Sequence, residues 1–312
     1  MNVLLTGGQG FIGSEVFNYF KELGHDVDIL DNYTYAADID RVDAASHTFV
    51  VDISQPINTR IIKKQYDYIL HLAAETHVDN SIEDPGRFVM TNVVGTFNML
   101  EFARKQQNLK AFLYFSTDEV FGPAPDKTAY KEWDRYNSGN PYSATKAGGE
   151  ELTLAYGNTY KLPVIITHTM NVFGSKQHPE KFIPSTVRKV LEGETVIIHS
   201  NKERTKAGSR FYIHARNVAK AVHFVLENGE LQDKYNIVGE KEVDNLTLAR
   251  LIAEYLGKPL KYELVDFHSS RPGHDLRYGL DGSKLREMGW TPPTGFEYTL
   301  RETVKDIANA YK

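Results

Sequence analysis

The segment Thr6-Gly7-Gly8-Gln9-Gly10-Phe11-Ile12-Gly13 decides the fold of this chain. It follows the apolar run 3–5, and apolar residues at helical spacing come after it: Ile12, Val16, Phe20 and Leu23. Glycines in this arrangement let a backbone turn tightly from a strand into a helix and approach a pyrophosphate, whose charge then lies at the helix N-terminus. The segment predicts a dinucleotide site, and a plain tight turn is the alternative. The residues predicted to contact the dinucleotide are Gly7, Gly10, Phe11, Ile12 and Gly13.

Apolar runs and helical patterns alternate along the first two-thirds of the chain. The runs are 3–5, 27–30, 48–51, 68–72, 111–115 and 164–167. Most lack a polar–apolar alternation, as expected of strands that are buried on both faces of a sheet. The pattern predicts an α/β fold, a Rossmann-like doubly wound parallel sheet, over residues 1–173. Turn-rich segments predict a smaller, interleaved C-terminal substrate-binding domain over residues 174–312, with a strand at 235–238 that returns to the large sheet.

The composition restricts the classes of function. The 312 residues carry a net charge of −5 and no cysteine. This charge argues against a broad nucleic-acid surface, and the lack of cysteine excludes disulfides, thiolate metal sites and a cysteine nucleophile. No apolar window is long enough for a membrane span, and the N-terminus lacks the pattern of a signal peptide. We therefore expect a cytoplasmic protein with no metal, no membrane contact and no nucleic-acid partner.

Two acidic residues follow predicted strands near the glycine segment. Asp31 ends the second strand, about 20 residues after the glycines. A carboxylate there can accept hydrogen bonds from a ribose diol and would repel a 2′-phosphate, so the sequence favours NAD over NADP. A solvated turn residue is the alternative for Asp31. Asp52, predicted to end the third strand, is expected either to face the adenine or to cap a loop.

A tyrosine and a lysine share one face of a predicted helix. Asn140 can cap this helix, and Pro141 fits its first position. Tyr142 and Lys146 then lie four residues apart on the same face. This spacing suits proton abstraction from an alcohol, because a nearby ammonium favours the phenolate of a tyrosine, whose unperturbed pKa is about 10. Such pairs also occur by chance, so the spacing alone does not separate a catalytic role from a structural one.

Segments spread along the chain resemble the extended short-chain dehydrogenase/reductase enzymes and, within them, the sugar-nucleotide 4,6-dehydratases. In chain order these segments are 6–13, 71–79, 116–122, 142–146, 171–174, 179–184 and 271–275. The triplet Thr117-Asp118-Glu119 resembles that of the dehydratases, and the 4-epimerases of the same superfamily usually lack its acidic pair. An epimerase only moves a hydride off C4 and back. A dehydratase must also remove the C5 proton and expel the C6 hydroxyl, which needs a base and an acid.

The resemblance implies an NAD-dependent hydro-lyase of carbohydrate biosynthesis that acts on a nucleoside-diphosphate hexose. It assigns Tyr142, assisted by Lys146, to the proton of the C4 hydroxyl, and Thr117 to a hydrogen bond with the same oxygen. It assigns Glu119 to the C5 proton and Asp118 to protonation of the departing C6 hydroxyl. The alternatives are a sugar-nucleotide 4-epimerase and a non-catalytic NAD-responsive binding protein on the same fold.

The resemblance also implies contacts around the cofactor and the substrate. The residues expected beside NAD are Ile53, Leu72, Ala73, Ala74, Tyr142 and Lys146. The residues expected near the sugar or its nucleotide diphosphate are His77, Asn171, Lys181, Arg210, Asn236, Arg271 and His274. A well-bonded turn is the alternative for Arg271 and His274. In family members two helices pair with their copies in a homodimer, and the corresponding segments here are 92–105 and 141–160.

Several positions depart from the family pattern. His168 stands where an arginine is frequent, Ser175 where a proline is common, and Arg216-Asn217 where an acidic pair is usual. The loop 200–209 looks longer and more basic than in the family. The sequence therefore does not identify the nucleotide or the hexose of the substrate. The leading candidate substrates are dTDP-glucose and UDP-glucose, and UDP-N-acetylglucosamine is a further candidate.

Overall fold

The computed structural model describes residues 1–43, 47–266 and 276–311. The strands are β1 Asn2–Thr6, β2 Asp26–Asp31, β3 Thr48–Val50, β4 Tyr68–His71, β5 Ala111–Thr117, β6 Val164–Thr169, β7 Asn171–Phe173, β8 Thr195–Ser200, β9 Ser209–His214, β10 Asp233–Ile237, β11 Glu242–Asp244 and β12 Lys261–Asp266. The helices are α1 Phe11–Glu22, α2 Val78–Glu83, α3 Pro85–Phe88, α4 Gly95–Ala103, α5 Pro141–Tyr160, α6 Phe182–Glu192, α7 Ala215–Asn228, α8 Asn245–Leu256, α9 Ser283–Glu287 and α10 Phe296–Ala310. A π-helical segment, Val89–Val94, runs directly into α4.

A parallel sheet of seven strands forms the centre of the molecule, in the order β3-β2-β1-β4-β5-β6-β10. The strand β1 pairs with both β2 and β4, so Thr6 lies opposite Leu30 on one side and His71 on the other. The chain order reverses at this point, and in such sheets ligands bind in the crevice beyond the carboxyl ends of the strands. The strand β10 pairs in parallel with β6. The α/β doubly wound fold is therefore confirmed, and β10 is a strand that returns to the large sheet from the later part of the chain.

Apolar side chains cover both faces of this sheet. Because successive side chains of a strand point to opposite faces, Val3 and Leu5 pack on one side and Leu4 on the other. The first side is closed by α1 and α7, with Val16, Phe17, Phe20, Val218, Val222 and Val225. The second side is closed by α4 and α5, with Met99, Leu100, Phe102 and Tyr156. Burial on both faces explains why the sequence of these strands shows no alternation.

The elements after β6 add a smaller layer. Strands β7, β9 and β11 form a three-stranded sheet, and β8 pairs with β12. Helices α6, α8 and α10 pack together around Phe173, Ile183, Val187, Leu248, Ile252, Phe296, Leu300 and Val304. The chain returns from this layer to the large sheet for α7 and β10, so its two parts are interleaved. Of the helices in the described ranges, none combines the length and apolar character that a membrane crossing requires.

Candidate active site

The glycine segment joins β1 to α1 at the carboxyl edge of the sheet. Gly7 has a φ of +72°, and a Cβ there would lie 2.8 Å from the backbone nitrogen of Ala73. A Cβ on Gly13 would collide with the carbonyl oxygen of Gly7. The positive φ therefore favours glycine at position 7, and the close approach of neighbouring backbone requires glycine at both positions.

The N-terminus of α1 is open to an anion. Gly10 is its N-cap residue and supplies no side-chain hydrogen bond, and the first turn holds no acidic residue. The first N–H groups of a helix have no partner within the helix, and together with the helix dipole they attract a negative charge. The residues of this turn, Phe11 and Ile12 among them, therefore fit a pyrophosphate.

Asp31 lies beside the glycine segment at the end of β2. Its carboxylate accepts hydrogen bonds from the backbone N–H groups of Gln9 and Tyr33, both at 2.9 Å. These bonds orient the carboxylate and leave it further lone pairs, which a ribose diol could use. The loop and the carboxylate together form a donor and acceptor set that fits NAD, and a 2′-phosphate at this place would be repelled.

A buried chain of hydrogen bonds ties β1 to β4 under this loop. The hydroxyl of Thr6 lies 2.8 Å from Nδ1 of His71 and accepts the N–H groups of Leu72 and Ala73. On its other side, His71 Nε2 lies 3.1 Å from the hydroxyl of Thr96. Burial lowers the pKa of His71 to about 3, so this ring is neutral. Thr6 and His71 were not among the site residues predicted from the sequence, although each is a polar residue that ends an apolar strand.

Residues Asp52 and Ile53 lie beyond the third strand. The strand β3 ends at Val50, so the prediction that Asp52 ends it is wrong. The exposed carboxylate of Asp52 accepts the N–H of Ser54 at 2.9 Å, which caps the turn. The side chain of Ile53 is buried and fills the space above Gly95, where a Cβ would lie 2.8 Å away. Contact of either residue with the cofactor stays a prediction.

The helix α5 begins as predicted and carries Tyr142 and Lys146 into the interior. The Asn140 side chain accepts the N–H of Ser143 at 2.8 Å in a capping box, and Pro141 is the first helical residue. Burial lowers the pKa of Lys146 to about 7, and the charge of Glu150 opposes this effect. Burial, followed by the charge of Glu119, raises the pKa of Tyr142, whereas a hydrogen bond with Thr117 opposes the rise. The protein alone therefore keeps Tyr142 protonated, and the phenolate requires added positive charge.

The acidic pair lies where β5 ends, close to Tyr142. The hydroxyl of Thr117 lies 3.1 Å from Oδ1 of Asp118 and also accepts the N–H of Glu119. Burial and, second, the charge of Glu119 raise the pKa of Asp118 to about 7, while the charge of Arg210 opposes the rise. Oε2 of Glu119 accepts the side-chain N–H of Asn140 at 3.0 Å. The two carboxyl groups thus differ in environment: Asp118 can hold a proton near neutrality, and Glu119 is oriented as an acceptor.

Of the substrate residues predicted from the sequence, four lie at or near the ends of helices and strands: His77, Asn171, Lys181 and Arg210. Asn171 is the exposed first residue of β7, and Lys181 is the N-cap residue of α6. His77 is the N-cap residue of α2, and its Nε2 lies 3.9 Å from Glu180. Arg210 donates to the carbonyl oxygens of Ser209 and Leu276. Arg271 and His274 lie outside the described residues.

Asn236 differs from the sequence-based expectation. Its side chain is fully buried, and Nδ2 donates to the carbonyl oxygens of Tyr130 and Asp281, both at 3.0 Å. Its Oδ1 lies 3.0 Å from Nδ1 of His168. Both amide hydrogens are thus used inside the protein, so the side chain has no donor left for a phosphate oxygen. In this geometry Asn236 does not serve as a contact to the nucleotide diphosphate.

Several positions that depart from the family pattern have defined partners. Arg216 pairs with Glu22 and lies over the ring of Tyr19, which joins α7 to α1. Asn217 is buried and donates to the carbonyl oxygen of Thr294. In the loop 200–209 the side chain of Asn201 accepts two backbone N–H groups, and Lys206 pairs with Asp126. Within the ranges that the structure covers, no three His, Asp or Glu side chains are grouped so as to hold a metal ion.

Comparison with known proteins assigns the family. The NAD dependent epimerase/dehydratase family matches residues 3–238. The chain is 36% identical to dTDP-glucose 4,6-dehydratase of Salmonella typhimurium, over 98% of this chain and 92% of that protein. This chain therefore belongs to the NAD dependent epimerase/dehydratase family, within the extended short-chain dehydrogenases/reductases.

Solved structures of both enzyme types share its fold. The crystal structure of DesIV, a dTDP-glucose 4,6-dehydratase from Streptomyces venezuelae with NAD and TYD bound, superposes with a TM-score of 0.89 at 33% identity and covers 99% of this chain and 97% of that chain. The UDP-glucose 4-epimerase of Thermus thermophilus in complex with NAD gives 0.90 at 28% identity, over 99% of this chain and 100% of that one. Because both types fit the fold, the choice between the two reactions depends on the site.

Proposed function

We propose that this protein is an NAD-dependent 4,6-dehydratase that converts a nucleoside-diphosphate hexose into its 4-keto-6-deoxy form. The observation that carries the proposal is the acidic pair at the end of β5. Asp118 is a buried acid whose pKa is raised to about 7, and it adjoins the carboxylate of Glu119 and the phenol of Tyr142. A 4-epimerase needs no second acid–base pair at this place, whereas a dehydratase does. dTDP-glucose is the first candidate substrate, because relatives at 36% and 33% identity are dTDP-glucose 4,6-dehydratases.

The cofactor of the reaction is NAD, which accepts a hydride from C4 and returns it at C6. Gly7, Gly10 and the first turn of α1 would hold its pyrophosphate, and Asp31 would hold a ribose diol. The hydride leaves the substrate and returns to it within one turnover, so NAD is expected to stay bound throughout the reaction. Orientation of the reactants is then the main contribution of the fold.

Tyr142 takes the proton of the C4 hydroxyl. Its phenol is buried and carries a raised pKa, so the phenolate needs nearby positive charge. Lys146, one helical turn away on the same face of α5, supplies that charge when it is protonated. The hydroxyl of Thr117 donates to the same oxygen of the substrate and helps to fix it next to Tyr142.

The acidic pair then removes water from the ketone. The carboxylate of Glu119 takes the C5 proton, which the C4 ketone makes acidic. Asp118, which holds a proton near neutral pH, gives it to the departing C6 hydroxyl. Two adjacent carboxyl groups can divide these roles because burial and mutual repulsion separate their protonation states.

A panel of sugar nucleotides tests the proposal. The purified protein is incubated with dTDP-glucose, UDP-glucose and UDP-N-acetylglucosamine, and the products are identified by mass spectrometry. We expect at least one 4-keto-6-deoxy product, lighter than its substrate by one water. A product of unchanged mass would instead support the epimerase, and no turnover of any sugar nucleotide would favour a binding protein.

We further propose that the protein forms a homodimer through the segments 92–105 and Pro141–Tyr160. Phe97 in α4 and Met90 in the π-helical segment are 43% and 45% exposed, so two large apolar side chains lie on this surface. Small residues, Ala144, Gly148 and Ala155, lie on the accessible side of the adjacent helix α5 and would allow a second copy to approach closely.

Only part of the segment 92–105 is accessible to a partner. Leu100 and Ala103 share the helical spacing of Val93 and Phe97, but both are fully buried in the core of their own subunit. The surface offered to a partner is therefore the side with Met90 and Phe97. The cytoplasmic location expected from the sequence stays a prediction.

A further inference from the structure

The face of α5 that carries Tyr142 and Lys146 continues for one more turn to Glu150. The side chain of Glu150 is fully buried, and its carboxylate lies 3.1 Å from Nε2 of His168 and 3.0 Å from Nζ of Lys234. The hydroxyl of Tyr136 donates to the same carboxylate. Glu150, His168 and Lys234 are hereafter called the buried charge cluster, which joins α5 to the sheet strands β6 and β10.

Hydrogen bonds define the protonation state of His168 within this cluster. Because Nδ2 of Asn236 donates to two backbone carbonyl oxygens, its Oδ1 must be the atom that faces Nδ1 of His168. An amide oxygen only accepts, so Nδ1 of His168 carries a hydrogen. Nε2 faces both oxygens of Glu150 at 3.1 Å, and these also accept. A ring with hydrogen on both nitrogens is an imidazolium, so His168 is a cation.

The cluster places one negative and two positive charges in the protein interior. Nζ of Lys234 also donates to the hydroxyl of Tyr136 at 2.5 Å and lies over the rings of Trp133 and Tyr136. A further titratable side chain near His168 is Glu132, which accepts the N–H of Asn236 at 3.2 Å. Burial raises the pKa of Glu132, and the charge of His168 is among the effects that oppose this rise. Phe121 packs edge-on against the imidazole. These contacts stabilise the His168 and Lys234 cations in the absence of solvent.

The cluster is coupled to Lys146. Glu150 lies four residues after Lys146, and its negative charge is the influence that opposes the lowering of the Lys146 pKa by burial. The two cations hold Glu150 in its charged form: Glu150 is fully buried, yet its pKa is lowered to about 2, and His168 is the largest of the groups that lower it. The negative charge that Glu150 presents to Lys146 thus depends on His168.

We propose that the buried charge cluster is a positioning device of the active site, in which Glu150, balanced by the His168 imidazolium and Lys234, keeps Lys146 charged beside Tyr142. This inference rests on the proposed function. It also gives the departure at position 168 a role, because the His168 imidazolium supplies beside Glu150 the positive charge that the arginine frequent in the family would bring.

The pH–rate profile of kcat/KM tests the proposal, because the alkaline limb reports loss of the Lys146 charge. Glu150→Gln removes the negative charge, so Lys146 should lose its proton more easily and the limb should move to lower pH by roughly one unit. His168→Gln removes a positive charge next to Glu150, so the limb should move to higher pH. His168→Arg keeps the charge, and its limb should stay near that of the parent protein.

A purely structural cluster gives a different result. Substitutions in such a cluster would lower kcat/KM at every pH without shifting the alkaline limb, or would shift the limb in the same direction in Glu150→Gln and His168→Gln. Either outcome overturns the proposal. If Glu150→Gln fails to fold, as two unpaired buried cations would permit, the comparison of His168→Gln with His168→Arg decides alone. Thermal unfolding and bound NAD content establish which variants are folded.

A second readout does not depend on activity. Nitrogen NMR of protein labelled in histidine identifies the His168 signals as those lost in His168→Arg, and two protonated ring nitrogens are expected at neutral pH. A neutral His168 ring would overturn the proposed role of the buried charge cluster even if the enzyme is a dehydratase. Conversely, an imidazolium in a protein that converts no sugar nucleotide would refute the proposed function and leave the cluster in place.

Discussion

The hydroxyl of Thr117 lies 3.1 Å from Oδ1 of Asp118, while Oδ2 of Asp118 is buried without a hydrogen-bond partner among the described residues. A buried charged oxygen without a partner would be costly, whereas a protonated carboxyl can be accommodated. This agrees with the raised pKa of Asp118, about 7, which burial and the charge of Glu119 produce. The free side of the carboxyl group is therefore where a proton could be handed to a substrate oxygen.

The raised pKa of Asp118 predicts a pH-dependent cost in stability. An aspartate in the unfolded chain titrates at about 3.9, so between that value and about 7 the folded state retains a proton that the unfolded state has lost. The free energy of unfolding must then fall as the pH rises through this window. Asp118→Asn removes the effect and should be more stable than the parent protein at pH 8, by at most about 4 kcal/mol.

Thermal unfolding at a series of pH values measures this difference. At pH 4 the parent and Asp118→Asn should unfold at nearly the same temperature, because the carboxyl is protonated in the folded parent and still about half protonated in the unfolded chain. The gap should widen between pH 4 and 7 and then level off. A gap that does not change with pH would mean that Asp118 is charged in the folded protein.

The sequence was sufficient for the elements whose signals are local. Helix α8, Asn245–Leu256, is an example, because Asp244 caps its first turn and Gly257, with a φ of +63°, ends it. The glycine segment and the strands buried on both faces were equally readable, since each signal lies within one short stretch.

Long-range contacts were beyond the sequence. Tyr278 meets Glu119 across 159 residues, and Asn236 meets His168 across 68. Which side chains become partners in this way depends on strand order and packing. For the same reason the sequence could not show that the side-chain amide of Asn236 forms its hydrogen bonds inside the protein, or that burial would raise the pKa of Asp118.

Asp31 should decide the choice of cofactor. The protein is expected to purify with NAD, and the nucleotide released on denaturation identifies it. Asp31→Ser keeps an acceptor for the N–H of Gln9 but removes the charge, so NAD should bind more weakly and NADP relatively better. Binding of both nucleotides, measured by titration calorimetry, gives the ratio. NADP bound to the parent protein, or an unchanged ratio in the variant, would contradict the role of Asp31.

Phe97→Glu should split the proposed homodimer. The side chain is 43% exposed, so a monomer should tolerate the substitution, whereas a charge buried against a second copy is strongly unfavourable. Light scattering at micromolar concentration should give a dimer for the parent and a monomer for the variant. Tyr298→Glu is a matched control, because Tyr298 is 65% exposed on α10 and lies outside the proposed interface. A monomeric parent protein would rule out the proposal.

Tyr142→Phe should suppress every step of the reaction. The variant keeps the ring that packs against Phe88 but loses the group that takes the C4 proton. General acid–base groups typically contribute about 10²–10⁴-fold, and a loss of that size is expected in single-turnover oxidation, followed by the absorbance of reduced nicotinamide. Because hydride removal comes first, neither reduced cofactor nor dehydrated product should accumulate. If the variant retained full activity, the oxidation mechanism would have to be abandoned.

Asp118→Asn and Glu119→Gln should separate oxidation from loss of water. Both carboxamides keep the shape of the side chain and lose its proton transfer, while Tyr142 and Lys146 stay intact. Oxidation at C4 should therefore proceed and the bound cofactor should accumulate in its reduced form, whereas the dehydrated product should appear about 10²–10⁴ times more slowly. Solvent deuterium sharpens the comparison, because a working base exchanges the C5 proton as the product forms. Glu119→Gln should lose this exchange, whereas Asp118→Asn should keep it, since only the acid is missing. If both variants dehydrated the substrate at the parent rate, the acidic pair would be a structural turn and the epimerase reaction would become the better explanation.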